Sequence, residues 1–392
     1  MSLPSSQQYR SQGRREGVDE TTLNRAVETI ERIRRTDPRL TPVLTLRHLS
    51  YLAETPYGYL RHIVSRNSVQ YRHVRLKKHL PGRKSHRIIS IPSANLMNLQ
   101  RWIAQRILKY IEPSSASFAY HPGSSPVMAA EEHCGCSWLM KVDIQDFFHS
   151  IAEGRVSKIF FSAGYPRLLS FELARICTMQ YGSRKFEIER NGRWTKIPHY
   201  WNVQEGVLPQ GAPTSPMLSN LVVRHLDNRL IDISKSHGVK FSRYSDDLAF
   251  SCKEKKSAKF TNSFKRIVLS EISREGFRHN HRKTVVRGSG DRRIVLGMLV
   301  DGATPRLPRE FKDLIRLHLY YLSSKKFGPA NHATHLKISI STLYHRLLGL
   351  IGWATRVEPE YGANCLNEFK KIKWPPIRPG YSLIVNEEFF SS

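Results

Sequence analysis

The stretch KFSRYSDDLAFSC, residues 240–252, decides the fold, because it alternates like two strands joined by a tight turn. Two adjacent carboxylates, Asp246 and Asp247, fall near that turn. Adjacent carboxylates repel each other, so the arrangement is costly unless cations neutralise it. Their hard oxygen ligands suit Mg²⁺. An Asp-Asp pair considered alone is more often a solvated turn, so a second observation is needed.

A third carboxylate, Asp143, follows the apolar run Trp138–Val142, which predicts a buried strand. The next residues are Ile-Gln-Asp-Phe-Phe. If this strand end faces the Asp246–Asp247 hairpin, the three carboxylates can hold two ions about 3.5–4 Å apart, as nucleotidyl transfer requires. One ion would activate the attacking 3′-hydroxyl and the other would stabilise the leaving pyrophosphate.

Between these acidic segments lies LPQGAPTSP, residues 208–216, leading into a helix predicted over 216–236. Its small and rigid residues let the backbone approach a flat ligand closely, and Gln210 can hydrogen-bond a sugar or a phosphate. A proline-rich connector is the alternative interpretation. Ser215 is expected to cap the helix, with Pro216 in its first turn and Gly238 after its end.

Composition points to a polyanionic partner. The chain has 392 residues, with 62 Lys and Arg against 33 Asp and Glu, a net charge of +29. Such an excess repels itself, and nucleic acid relieves the repulsion through counterion release. We expect no membrane span, because no run of about 18 apolar residues occurs. The N-terminus lacks a secretory apolar region, and five scattered cysteines favour a reducing cytoplasm.

The remaining patterns predict local elements. Residues 21–37 predict a basic helix ended by Asp37-Pro38, and residues 95–111 predict an amphipathic helix. Residues 66–87 hold eight Lys and Arg and no acid, which favours a phosphate-gripping β-hairpin over a solvated charge run. In a helix near 343–357, one predicted face comprises Leu347, Leu348, Leu350, Ile351 and Ala354.

The order VDIQDFF, LPQGAPTSP and YSDD resembles motifs A, B and C of reverse transcriptases. The loop QGAPTSP resembles the retron type, whereas group II intron enzymes usually carry a loop closer to QGG followed by SP. RIISIP resembles the fingers, Gly276-Phe277 with Lys283 resembles motif D, and residues 296–300 resemble the strand before the thumb. The likeness covers roughly residues 55 to 360.

This resemblance implies roles for individual residues. Asp143, Asp246 and Asp247 would be catalytic and bind two Mg²⁺ ions, or Mn²⁺ in their place, helped by the backbone carbonyl of Ile144. The implied nucleotide-binding set is Arg87, Lys78 (or Lys77), Phe148, Gln210 and Lys283. Phe148 would be the aromatic steric gate or a core residue, and Lys283 a general acid or a phosphate ligand. Tyr244 and Arg346 would contact the primer and template.

The implied fold is an α/β (α+β) right hand. A basic N-terminal extension would cover residues 1–54, and fingers with an antiparallel, helix-backed palm would cover 55–302. A mainly helical thumb at 303–392 would bind nucleic acid. Two positions depart from common retron motifs. Ala129 replaces the Asn of an Asn-Ala-x-x-His element that ends at His133, and Leu296 replaces the Thr of Val-Thr-Gly.

The implied function is an RNA-directed DNA polymerase of a retron. Its partners would be dNTPs, a cognate structured noncoding RNA, the branched RNA–DNA product and a separate effector protein in anti-phage defence. Three alternatives are left open: another bacterial reverse transcriptase such as a group II intron type, an RNA-dependent RNA polymerase, and an RNA-binding scaffold with a vestigial site. Phe148 argues against the RNA polymerase, and the intact carboxylates argue against the scaffold.

Overall fold

The computed structural model describes residues 6–66, 68, 70–80, 83–180, 205–324 and 326–376, with side chains except for residues 6–9, 77–80 and 83–85. Helices combine with antiparallel sheets, which confirms the predicted mixed α and β class. No helix in these ranges is long and apolar enough to cross a membrane.

The N-terminal part consists of four helices and a β-hairpin. The helices are α1 (Ser6–Arg15), α2 (Glu20–Thr36), α3 (Leu46–Leu52) and α4 (Tyr57–Val64). The hairpin pairs β1 (Tyr71–Leu80) with β2 (Arg83–Pro92) in antiparallel register. The predicted basic hairpin is therefore confirmed, as is the end of the first long helix at Asp37, which forms the C-cap of α2.

The middle of the chain alternates helices with short strands. Its elements are α5 (Ala94–Arg106), α6 (Pro126–Glu131), β3 (Trp138–Asp143), α7 (Glu153–Ser162), α8 (Arg167–Cys177), β4 (Met179–Gln180) and β5 (Gly206–Val207). Single 3-10 turns follow α5 at Leu108–Tyr110 and follow β3 at Phe148–Ser150. The predicted helix 95–111 is thus α5 continued by a 3-10 turn.

The second half of the described chain completes the sheet and then becomes helical. Its elements are α9 (Ser215–Val222), α10 (Arg224–Ser236), β6 (Lys240–Tyr244), β7 (Asp247–Cys252), α11 (Ala258–Arg274), β8 (Val285–Arg287), β9 (Ile294–Val295), β10 (Met298–Leu299), α12 (Arg309–Ser323), α13 (Gly328–His335), α14 (Ile340–Val357) and α15 (Pro359–Lys370). The strand–turn–strand predicted at 240–252 is confirmed.

The largest sheet in the described part of the chain has four antiparallel strands in the order β6-β7-β3-β8. Side chains alternate between its faces, as strand geometry requires. One face places Met140, Val142 and Phe250 in a core formed with α5, α7, α8, α9, α10 and α11. The other face places Leu139 and Ala249 in a second core. Both faces pack against a hydrophobic core, and the acidic residues lie where the strands end.

The second core crosses residue 302. It joins residues of the sheet and of β9 and β10 to buried residues of the C-terminal helices, including Leu347, Ile351 and Ala354. The predicted apolar face of α14 is correct for these three. It is wrong for Leu348, which is exposed, and Leu350 is only partly buried. A run of several leucines necessarily wraps around a helix, so not all of them can face the same core.

The helix predicted over 216–236 is two helices. Val223 ends α9 and precedes α10, with φ −89° and ψ 2°. The predicted cap at Ser215 is also wrong, because the N-cap residue is Thr214 and Ser215 is the first residue of α9. A break of a single residue leaves the apolar spacing almost intact, so periodicity cannot reveal it.

Candidate functional site at the end of the sheet

Two of the predicted carboxylates meet at one end of the four-stranded sheet. Asp143 is the last residue of β3 and Asp247 the first of β7, and their Cα atoms are direct partners in the antiparallel register. Asp246 lies beside them, since its backbone oxygen accepts a hydrogen bond of 2.9 Å from the Ile144 N–H. The structure thus brings Asp143 together with an adjacent pair of acidic residues that lies about 100 positions later in the chain.

The turn that carries Asp246 is strained and held by side chains. Ser245 has φ 59°, in the left-handed region that few non-glycine residues adopt. The Arg243 guanidinium donates to the Ser245 carbonyl at 3.1 Å, and the Tyr120 hydroxyl donates to Ser245 Oγ at 2.9 Å. A strained backbone conformation persists only where surrounding interactions hold it in place, and such conformations are concentrated at functional sites.

Electrostatics make the carboxylate cluster reluctant to ionise. Burial, and then the charges of Asp246 and Asp143, raise the pKa of Asp247 to about 6. Burial likewise raises the pKa of Asp246, with a further contribution from Asp143. Because both pKa values are raised, the ionised forms of Asp246 and Asp247 are unfavourable in the folded protein. Positive charge would stabilise them, and a divalent cation would supply it.

Lys283 contacts this cluster directly. Its Nζ lies 2.6 Å from Asp143 Oδ2. The segment that carries it is anchored by the Asn280 N–H, which donates to the Asp143 carbonyl at 2.7 Å. Desolvation opposes protonation, yet the hydrogen bond and the charges of the three aspartates raise the pKa of Lys283. Lys283 is thus a charged donor within reach of any anion bound here.

The carboxylates of Asp143, Asp246 and Asp247 are chemically suited to bind a divalent ion. Among the described residues, no three Asp, Glu, His or Cys side chains stand close enough to hold a metal as they are. One of the three carboxylates is instead engaged by the Lys283 ammonium. Carboxylates supply the hard oxygen donors that Mg²⁺ and Mn²⁺ prefer. The contact of Lys283 with Asp143 shows that this end of the sheet already attracts positive charge.

The predicted nucleotide-binding loop packs on the hairpin. The Ser90 N–H of β2 donates to the Gln210 carbonyl at 2.7 Å. Gly211 has φ 119°, and a Cβ there would lie 2.8 Å from a methyl carbon of Ile89, so only glycine allows this approach. Arg87 is exposed on the same strand, three residues before Ser90. The loop is therefore packed directly against β2 of the hairpin.

Phe148, the predicted gate, begins the 3-10 turn after β3. Its ring is partly buried, with its centroid 5.6 Å from that of Phe147. The side chains of Lys77 and Lys78 lie outside the described residues.

Arg346 lies on α14. Burial lowers the pKa of His318, a residue of α12, to about 4, and the charges of His332 and then of Arg346 contribute to this shift. Arg346 is therefore beside α12, and no described contact joins it to the carboxylates.

Sequence analysis missed a buried ion pair behind the site. Arg243, Asp227 and Asn220 are all fully buried. The guanidinium donates to both Asp227 carboxylate oxygens, at 2.7 and 2.6 Å, and to Asn220 Oδ1 at 2.9 Å. Asn220 and Asp227 are seven residues apart and share one face of the predicted helix, but that face is opposite the apolar stripe of Leu218, Leu221, Val222 and Leu226, so hydrophobic periodicity gave no signal for their burial.

The two departures from common retron motifs line the same cavity. Ala129 and Leu296 both border a space of about 190 Å³ that is also lined by Lys141, Tyr244 and Asp247. Leu296 has φ 48°, an uncommon conformation for leucine. Two apolar residues, at the positions where the chain departs from the motifs it resembles, thus lie together beside the candidate catalytic residues.

His133, the residue retained from the Asn-Ala-x-x-His motif, is fully buried against the β6–β7 hairpin. Its Nδ1 lies 2.7 Å from Ser251 Oγ and its Nε2 2.6 Å from Ser242 Oγ. Burial, with a smaller contribution from Lys240, lowers the pKa of His133 to about 3. His133 therefore joins β6 and β7 as a neutral ring.

We expect this buried histidine to make folding acid-sensitive. The pKa is depressed in the folded state, so the stabilisation is present above the unfolded pKa of about 6.5 and is lost as the pH falls toward 3. Between pH 7 and pH 5 the wild type should lose about 2 kcal/mol more than a His133→Gln variant. Urea denaturation of both proteins at each pH measures this difference, and parallel pH profiles would contradict it.

Comparison with known proteins decides the family. The family model "Reverse transcriptase (RNA-dependent DNA polymerase)" matches residues 76–299, more than half of the chain. The chain belongs to the reverse transcriptase family. The matched range contains β2, the loop that precedes α9, and all three aspartates at the sheet end.

Several relatives of this reverse transcriptase are retron enzymes. The reverse transcriptase of retron Ec86 from Escherichia coli is 29% identical over 314 residues, 79% of this chain and 88% of that protein. That of retron Ec83 from the same organism is 26% identical over 322 residues, 78% and 92% of the two chains. That of retron Mx65 from Myxococcus xanthus is 29% identical over 274 residues, 70% of this chain but 59% of its own length.

These likenesses confirm the prediction of a bacterial retron-type reverse transcriptase, and with it the activity of an RNA-directed DNA polymerase. They also confirm the use of a template RNA and dNTPs.

Proposed function

We propose that this enzyme copies a cognate structured noncoding RNA into single-stranded DNA by two-metal nucleotidyl transfer, starting from a 2′-hydroxyl of an internal guanosine and making a branched RNA–DNA product. The observation that carries the proposal is the pairing of Asp143 with Asp247 at the sheet end, with Asp246 in the adjoining turn. The charge of +29 suits a polyanionic template and product.

In this mechanism Asp143, Asp246 and Asp247 would hold two Mg²⁺ ions, or Mn²⁺ in their place, with the Ile144 carbonyl helping. When bound, the ions would activate the attacking hydroxyl and stabilise the charge on the phosphates. The contact with Asp143 keeps Lys283 protonated, and its ammonium is half-exposed. Lys283 would leave Asp143, which removes the main interaction that holds its proton, and would give that proton to the departing pyrophosphate, becoming a neutral amine.

The other predicted residues would bind the reactants. The proposed nucleotide contacts are Arg87, Lys78, Gln210 and Phe148, and the proposed primer and template contacts are Tyr244 and Arg346. Tyr244 is the Cα partner of Asp247, so a primer end held there would lie next to the carboxylates. Arg346 would act on the template–primer duplex farther along, from the C-terminal helices.

The proposed right hand has an N-terminal extension at residues 1–54, fingers and palm at 55–302, and a thumb at 303–392. The four-stranded sheet would be the palm, and the β1–β2 hairpin would belong to the fingers. The shared core across residue 302 would seat the thumb on the palm. We place the enzyme in the cytoplasm, with a separate effector protein in an anti-phage defence system.

The most informative experiment is to isolate and sequence the nucleic acid that co-purifies with the protein. We expect a branched species in which DNA is joined to an RNA 2′-hydroxyl. Digestion with RNase should therefore leave ribonucleotides attached to the DNA. Linear cDNA would favour another type of bacterial reverse transcriptase. RNA without attached DNA would favour the RNA-binding scaffold.

Replacing the gate tests the distinction between DNA and RNA synthesis. We expect Phe148→Ala to reduce the preference for dNTPs over ribonucleotides by about tenfold or more, because removing the ring makes room for a 2′-hydroxyl. Primer extension with each nucleotide class measures the ratio. Phe161→Ala, at an exposed phenylalanine of α7, is the matched control. Equal ratios in both variants would contradict the gate.

A further inference from the structure

An aromatic side chain that the sequence analysis did not select lies between the candidate residues. The Tyr120 ring centroid is 6.5 Å from that of Phe148 and 6.4 Å from that of Tyr244. These separations are within the range of favourable aromatic contact. Tyr120 nevertheless keeps 42% of its surface exposed, so the ring is supported on one side and open on the other.

The backbone holds Tyr120 in place at a cost. Its φ is 68°, in the left-handed region. The chain just before it runs along β6, where the Phe118 N–H donates to the Arg243 carbonyl at 2.9 Å. The buried Asn220 side chain donates to the Ala119 carbonyl at 2.6 Å. The buried ion-pair network that supports the catalytic turn therefore also fixes Tyr120.

The hydroxyl of Tyr120 reaches the strained turn itself, donating to Ser245 Oγ at 2.9 Å. Burial raises the pKa of Tyr120, and the charge of Asp246 adds to the shift, so the phenol stays a neutral donor. A single side chain thus contacts the gate ring with its own ring and the turn before Asp246 with its hydroxyl.

We propose that Tyr120 is a specificity-determining residue that contacts the sugar of the incoming deoxynucleoside triphosphate. This inference rests on the proposed function. The Tyr120 and Phe148 rings form one continuous apolar wall, and Tyr120 supplies its exposed part. An apolar wall favours a sugar that lacks the 2′-hydroxyl, because a hydroxyl buried against it would lose its hydrogen bond to water. The hydrogen bond from the Tyr120 hydroxyl to Ser245 fixes the position of the turn relative to this wall.

The test separates the ring from the hydroxyl. Tyr120→Leu removes the wall, and we expect about a tenfold rise in KM for dNTPs and about a tenfold loss of discrimination against ribonucleotides. Tyr120→Phe keeps the wall and loses one hydrogen bond, so discrimination should persist while kcat falls about threefold to tenfold. Tyr51→Leu, at an 81% exposed tyrosine of α3, is the control.

A double variant tests whether the two rings act as one wall. Phe148→Ala combined with Tyr120→Leu should lose little more discrimination than either single variant, because each change already breaks the wall. Wild-type discrimination in Tyr120→Leu, or multiplying effects in the double variant, would overturn the role of Tyr120 alone. A wild-type protein that extends no primer on an RNA template would overturn the proposed function as well.

Discussion

Replacing Asp247 by asparagine is expected to abolish DNA synthesis without weakening the fold. The amide cannot supply the anionic oxygen that two divalent ions need, so extension should fall by about a thousandfold or more, which corresponds to several kcal/mol of lost charge stabilisation. Burial and the neighbouring carboxylates raise the pKa of Asp247 to about 6, so the ionised side chain is unfavourable in the folded protein near pH 7. A neutral amide removes that repulsion.

Two measurements on the same samples test this prediction. Primer extension on an RNA template gives the loss of activity, and thermal denaturation should give a Tm equal to or above that of the wild type. Asp232→Asn, at an exposed aspartate of α10, should change neither property. Full extension by Asp247→Asn would contradict the assignment of the site. A fall in Tm would contradict the electrostatic argument.

Removing Asp227 should produce the largest loss of stability. Asp227→Ala leaves the fully buried Arg243 guanidinium without its carboxylate, and we expect a loss of about 3–5 kcal/mol in the free energy of unfolding. Chemical denaturation measures it. The same substitution at Glu310, whose salt bridge to Arg292 is exposed, should leave the free energy nearly unchanged. An equal effect at both positions would contradict the argument.

A double variant separates stability from function in this network. Asp227→Leu combined with Arg243→Met replaces both partners by apolar groups, and should recover much of the stability lost in Asp227→Ala. Extension should nevertheless stay below that of the wild type, because no guanidinium then donates to the Ser245 carbonyl. Wild-type extension in this stable variant would show that the clamp on Ser245 has no role in activity.

The sequence predicted the parts of the fold that depend on local patterns. Alternation over residues 240–252 predicted both strands and the turn, and the apolar run before Asp143 predicted the partner strand. No local pattern showed that these strands pair with each other; the antiparallel sheet that carries all three aspartates was implied by the resemblance to reverse transcriptases, and the structure pairs Asp143 with Asp247. The basic hairpin, like the individual strands, followed from local patterns.

The rest depends on contacts between distant segments. Tyr120 carries no periodic signal, and its position follows from the parallel contact of residue 117 with Arg243. The engagement of Asp143 by Lys283 joins residues 140 positions apart. The end of α9 at Val223 depends on a local backbone change that hydrophobic spacing does not record.

Counting bound divalent ions tests the central claim most directly. With an RNA template, an annealed primer and a non-hydrolysable dNTP analogue present, Mn²⁺ binding followed by electron paramagnetic resonance should give two ions per wild-type chain. Asp143→Asn, which alters the carboxylate contacted by Lys283, should bind fewer than two. A wild type that binds no more Mn²⁺ than this variant would contradict the claim that the three aspartates at the sheet end share a pair of ions.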